Sequence, residues 1–208
     1  MLASINPLGE RARGNRWLVT ALFYVAGSTV GGAVATAAVA TVGGAAARLL
    51  GARNLLELLS SATGSTWTAS ALVAGLCALT ALADATTVPS IVRRQVDEEW
   101  LTRYRGWVYG TGFGLQLGAG VTTTVTTAAI YLMLTLSLLD GSVATGAVVG
   151  AIFGATRAVP VLGTAGIATA GSLRRVHARI DAGWGAARTA AVVALLLTAA
   201  AVPASGLI

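Results

Sequence analysis

Arg157 is the residue least explicable as packing, because it stands inside an otherwise apolar run over residues 141–173. A guanidinium keeps its charge under any ordinary condition. At the centre of a membrane span it costs about 2.5–3.5 kcal/mol on an insertion scale. Arg157 comes seven residues after Gly150, which puts both on nearly the same side of a helix, facing other helices rather than lipid. Pro160 follows, removing one backbone donor and freeing the carbonyl of Thr156. A charged side chain beside such a kink suits the discontinuous helices that line solute sites in transporters. Gln116, in another apolar run, carries an amide whose donors and acceptors need partners. Thr122, Thr123, Thr124, Thr126 and Thr127 come after it. These threonines cannot all share one helix face, so bonds back to helix carbonyls satisfy some of them. Arg157, Pro160, Gln116, Thr122, Thr123 and Thr126 form the candidate solute-binding set, and a buried cation there favours an anionic solute or a group with acceptor oxygens. The structural alternative is that Arg157 snorkels or pairs with Gln116, threonine hydroxyls or freed carbonyls.

The elements that must hold these side chains are helices in lipid. The chain has 208 residues, 55% hydrophobic and only 11% charged, against about 25% charged in a soluble domain. The apolar content and the 4 prolines exclude a disordered or collagen-like chain. Residues 17–47, 58–83, 106–139 and 189–208 carry no charged side chain. A span needs about 20 apolar residues, which predicts five spans near 17–42, 66–86, 107–134, 143–168 and 187–205, with six as the alternative count. The first and third runs exceed one upright helix, so tilt, a break or a re-entrant stretch is expected there. The fold class is all-α, a polytopic membrane helix bundle forming a single integral membrane domain over 1–208.

All 14 basic residues are arginine. Arg11, Arg13 and Arg16 precede the first span, Arg93, Arg94, Arg103 and Arg105 lie between the second and third, and Arg174, Arg175, Arg179 and Arg188 between the fourth and fifth. Only Arg48 and Arg53 fall on the opposite side. The positive-inside rule then places the N-terminus in the cytoplasm of a bacterial inner membrane and the C-terminus outside. Trp17, Trp67, Trp107 and Trp184 mark span starts, where indoles prefer to sit. Ala35-Thr36-Ala37 fits a signal-cleavage site, yet the apolar run continues to Ala47, so the first span is expected to stay uncleaved. Ser90 to Gly106 reads as an interfacial helix, with Val92, Val96, Trp100 and Tyr104 on a drifting stripe and Arg94–Glu98 and Glu99–Arg103 four apart. Ser172 to Trp184 reads as a second such connector. Asp140-Gly141-Ser142 reads as a tight outer turn, and Asp84 as a boundary residue or an ion partner. Basic loops flanking apolar spans point to the lipid bilayer as partner and not to nucleic acid.

Small residues recur at helical spacing. Gly110, Gly114 and Gly118 repeat in the third span, Gly146, Gly150 and Gly154 in the fourth, and Gly27 and Gly31 in the first beside Ser28, Gly32 and Thr36. Such stripes let backbones approach closely where lipid supplies no hydrophobic drive. They predict helix packing within the chain, with a second copy, or with another membrane protein.

Several chemistries are excluded. One His and one Cys cannot build a thiolate–imidazole metal site. Cys77 has no second thiol with which to exchange a disulfide inside the monomer. The absence of Lys removes Ser–Lys dyads and the Walker A motif. No catalytic residue, metal or cofactor is expected, and the chain is not expected to be an enzyme.

Gly150-Ala151-Ile152-Phe153-Gly154 through Arg157 and Pro160-Val161-Leu162 is similar to a late span of the CcdA/DsbD transmembrane family, which passes reducing equivalents across bacterial membranes. Tyr109-Gly110-Thr111-Gly112-Phe113-Gly114 resembles the span that in that family leads into a Cys-Pro site. Here the corresponding Gly118-Ala119-Gly120-Val121-Thr122-Thr123 has neither Cys nor Pro, and five spans replace two repeats of three. The resemblance covers the second half of the chain and implies a related bundle without thiol relay. The whole chain also resembles Arg- and Ala-rich multispan proteins of high-GC actinobacteria. Two functions follow as expectations: a small-solute transporter or permease-like component, or a non-catalytic membrane subunit or assembly factor held through its glycine faces. A thiol-redox accessory acting through intermolecular Cys77 is the third.

Overall fold

A computed structural model of the chain describes residues 5–65, 67–86, 99–120 and 127–205. These residues form α1 (Pro7–Ala12), α2 (Trp17–Leu49), α3 (Leu55–Thr63), α4 (Trp67–Thr86), α5 (Trp100–Arg103), α6 (Gly106–Ala119), α7 (Ala129–Asp140), α8 (Val143–Leu162) and α9 (Ala170–Ser205). No strand occurs among them. α2, α4, α8 and α9 are each long and apolar enough to cross a membrane.

The long runs resolve differently from one another. α2 is one unbroken helix of 33 residues, about 50 Å at the usual rise. The first helix therefore extends to Leu49 rather than residue 42, with no break along it, and is longer than the roughly 30 Å hydrocarbon layer. The third span, expected over 107–134, is instead interrupted. α6 stops after 14 residues at Gly120, whose φ of 74° is the left-handed cap that glycine adopts without a Cβ penalty. α7 begins at Ala129 and runs 12 residues to Gly141, which caps it with φ 66° in the expected outer turn.

Two further boundaries differ from expectation. The fourth span ends at Leu162 and not near 168, because Pro160 falls in its last turn and Gly163 follows. The fifth span and the connector expected over 172–184 are one continuous helix of 36 residues, α9. Gly183 and Gly185 weaken it only by propensity, and its alanines carry it through. The other expected connector lies mostly outside the described residues, including Ser90, Val92, Arg93, Arg94, Val96 and Glu98. Its described end contains only the single turn α5, which closes at an extended Tyr104.

The chain gathers into two compact sets of segments. The first comprises Met1–Ala35, Val92–Thr124 and Ala147–Trp184. Its core is Ile5, Ala21, Tyr24, Tyr109, Phe113, Ala158 and Val161. Here α6 lies on α2 at glycine spacing: Gly110 meets Thr20, Gly114 meets Tyr24, Gly118 meets Ser28, and Gly27 and Gly31 meet Thr111 and Leu115. Numbers rise together on both helices, so α2 and α6 run the same way. α8 runs the opposite way, with Gly154 against Ser28 and Gly32 against Gly150.

The second set comprises Thr36–Ile91, Val125–Gly146 and Gly185–Ile208. α3, α4 and α7 pack on one another there. Asn54 caps α3 by accepting from the Glu57 amide at 2.7 Å, and α4 buries the face Ala69, Ser70, Val73, Cys77, Thr80, Ala81 and Asp84. Thr36 Oγ1 donates to the Gly146 carbonyl at 2.6 Å, where Gly146 also lies against Thr36 and Ala40.

Candidate functional site

The ends of the interrupted helix are where charged side chains meet bare backbone. A helix leaves its last carbonyls without intrahelical donors, and its C-terminus carries partial negative charge. At the end of α6, Arg157 Nη1 donates to the Leu117 carbonyl at 2.7 Å. That carbonyl also accepts from the Gly120 amide at 3.2 Å. The guanidinium lies 5.4 Å from the centre of the Phe153 ring, a cation–π distance. α8 delivers Arg157 here because Gly154, one turn earlier, is pressed against Ser28, and Ser28 Oγ donates to the Gly154 carbonyl at 2.6 Å. Ser28 itself lies about three turns into α2.

At the start of α7, in the second set of segments, the polarity is the opposite. The first amides of α7 need acceptors, and a helix N-terminus favours negative charge. Asp84, 4% exposed, reaches from α4 and accepts from the Ala128 amide at 2.6 Å and from Thr127 Oγ1 at 2.5 Å. Near the end of α4, Arg188 of α9 donates through Nε to the Asp84 carbonyl at 2.5 Å. Each of these charged side chains therefore binds a helix end of complementary sign.

A third cluster, around Glu10, is the one that sequence reasoning missed. Its carboxylate is fully buried. It accepts from Tyr109 Oη at 2.5–2.6 Å, from Thr20 Oγ1 at 2.9 Å and from Arg13 Nη2 at 2.6 Å. Asn15 Nδ2 donates to Tyr109 Oη at 3.2 Å. α1 holds Glu10 in place: Asn6 caps it, accepting from the Gly9 amide at 2.9 Å, and the buried Pro7 starts it. Burial works against the charge of Arg13, but its hydrogen bonds to Glu10 and Tyr109 outweigh that, so its guanidinium pKa is raised. Arg13 and Glu10 make the one ion pair among the described residues. The sequence does hold a signal, since Glu10 is the only acid before the first apolar run and sits among arginines.

Of the expected solute-binding set, Arg157 is half-buried at the end of α6, and Gln116 is half-buried one residue before its acceptor. Pro160 is exposed in the last turn of α8. Thr122, Thr123 and Thr126 lie outside the described residues, as does Thr124. Thr127 is placed, on Asp84. The glycine faces are all turned inward on this chain. Gly27, Gly31, Gly110, Gly114, Gly118, Gly146, Gly150 and Gly154 meet α2 or are met by it. Cys77 is 1% exposed on α4. No three His, Cys, Asp or Glu side chains group as metal ligands among the described residues.

Comparison with protein-family models, curated proteins and solved structures finds no match for the chain.

Proposed function

We propose that this membrane protein is a small-solute transporter or permease-like component of the bacterial inner membrane, with the Arg157-capped end of α6 as its working element. The observation that carries this reading is the Arg157 guanidinium on the Leu117 carbonyl, where α6 ends. Bare backbone at membrane depth is tolerated only where protein buries it or a polar path solvates it. Discontinuous helices with exposed dipole ends bind solutes in transporters for the same reason. Arg157 keeps the end of α6 polar from α8, and Asp84 separately does so for the start of α7 from α4; the remaining side chains of α4 and α8 are apolar, small or hydroxylated. Arg157 acts here as a positioning residue for the end of α6, and an anionic solute remains the fitting class.

Flux of labelled small carboxylates and phosphate from proteoliposomes tests the proposal. Arg157→Ala and Asp84→Asn are each expected to lower flux at least tenfold while leaving the helical circular dichroism and detergent monodispersity intact. Wild-type flux in both variants would remove these helix ends from the mechanism.

One observation favours a second reading, a non-catalytic membrane subunit or assembly factor. α9 holds the most apolar span window, with mean hydropathy 1.8, yet none of that window is buried. With the glycine faces occupied by α2, a partner would meet Val193, Leu196 and Leu197 instead, all exposed on α9. A photo-crosslinker at position 197 in native membranes is expected on this reading to give a discrete protein adduct, and lipid adducts alone would discard it. The thiol-accessory reading requires the Cys77 sulfur to reach a partner thiol, which its burial opposes.

A further inference from the structure

A cavity of about 320 Å³ opens where α2 and α6 begin, and its walls include Asn15, Arg16, Thr20, Arg105, Gly106 and Trp107. We propose that it binds the phosphate of an anionic lipid headgroup. Arg16 and Arg105 are both exposed, and neither has a hydrogen-bond or ion-pair partner among the described residues. They immediately precede the two helices, which run in the same direction from this point. The Arg16 carbonyl accepts from the Val19 and Thr20 amides, and the Arg105 carbonyl from those of Val108 and Tyr109. The amides of Trp17, Leu18, Gly106 and Trp107 are left over as donors. Neither first turn carries an acid, and no side chain caps α6. The Glu10 carboxylate, which a Cβ on Gly106 would approach to 3.4 Å, is already engaged by Arg13, Tyr109 and Thr20. Two guanidiniums without a partner among the described residues, beside two parallel helix starts, make a receptor for a compact anion with several acceptor oxygens.

The flanking surface selects a lipid over free phosphate. Leu18, Leu22 and Phe23 are exposed along α2 just past the cavity. The Phe23 ring lies 6.0 Å from that of Trp107, which is itself 49% exposed. A headgroup held by the arginines would lay its acyl chain along this apolar strip. Trp107 would then sit at the headgroup level, where indoles are favoured. The proposal does not depend on transport.

Titration of the full-length protein in a neutral detergent tests it, with tryptophan fluorescence and native mass spectrometry as readouts. The probes are short-chain phosphatidylglycerol, short-chain phosphatidylcholine and inorganic phosphate. Phosphatidylglycerol is expected to bind at least tenfold more tightly than phosphatidylcholine. Arg16→Gln with Arg105→Gln should weaken it roughly tenfold to thirtyfold, while the Lys pair at the same positions keeps most of the affinity. Arg174→Gln with Arg175→Gln, on exposed positions of α9, should change nothing. Equal binding of phosphatidylcholine, or an unchanged affinity in the Gln pair, would overturn the site. Competition by inorganic phosphate at the same concentrations would overturn the lipid assignment. If the Gln pair loses its helical circular dichroism, Arg105→Gln alone should still give a roughly threefold to tenfold loss, and no loss counts against the proposal.

Discussion

Gly118→Leu is expected to abolish the cooperative thermal transition in detergent and to leave the protein aggregated. A Cβ at this position would overlap the Ser28 carbonyl oxygen and lie 2.7 Å from the Ser28 carbonyl carbon and 2.8 Å from the Gly32 amide nitrogen. These are backbone atoms of α2, which no side-chain rotation can move aside. Overpacking that side chains can absorb costs about 1–3 kcal/mol. Moving two helices apart removes the contacts of a whole ridge, so even Gly118→Ala is expected to cost about 3 kcal/mol or more. Gly183, with nothing within 4 Å on α9, supplies the control. There alanine should stabilise slightly, by about 0.5–1 kcal/mol of helix propensity. A Gly118→Leu protein that stays monodisperse with an unchanged Tm would show that α2 and α6 do not pack at this distance.

Glu10→Ala is expected to cost about 2–4 kcal/mol, chiefly because the buried Tyr109 and Thr20 hydroxyls lose their acceptor, while Arg13, 25% exposed, keeps access to water. The carboxylate is the common acceptor for Tyr109, Thr20 and Arg13, so its removal strands two hydroxyls together. Tyr109→Phe removes a single donor and should cost only about 1–3 kcal/mol. Arg13→Ala in the Glu10→Ala background should add little further loss, because its partner is already gone. Thermal unfolding followed by tryptophan fluorescence reads all three. Additive losses in the double variant would mean that the two residues do not act as a pair.

The helical class and the glycine contacts were legible in the sequence because both depend on local pattern. Runs without charge set helix length, and small residues four apart set which faces can touch. The interruption after α6 was legible only as excess length in the third run. Its position depends on Gly120 adopting a left-handed conformation, and Gly120 reads as one more small residue in a glycine-rich stretch. Arg157 stood out by its cost in lipid, but the carbonyl expected to be free was that of Thr156, and the acceptor is instead that of Leu117 at the end of α6. Which carbonyl could not be read, since Leu117 lies 40 residues away and is brought close only by the separate packing of α6 and α8 on α2. Glu10 illustrates the opposite failure. It precedes the apolar run and looks like solvated charge, and only the fold of α1 places it beneath Tyr109. Asp84 was read as a boundary residue by its place near the end of α4. Its acceptor role arises from α7, whose start the sequence did not mark.

The continuity of α9 has a mechanical meaning. A helix of 36 residues is a rod about 54 Å long, and it carries Arg174, Arg175 and Arg179 toward one end and Leu195, Leu196 and Leu197 toward the other. Arg188, fastened to the last turn of α4, lies about two turns before Leu195, so this one anchor sets the height and the rotation of the leucines along their helix.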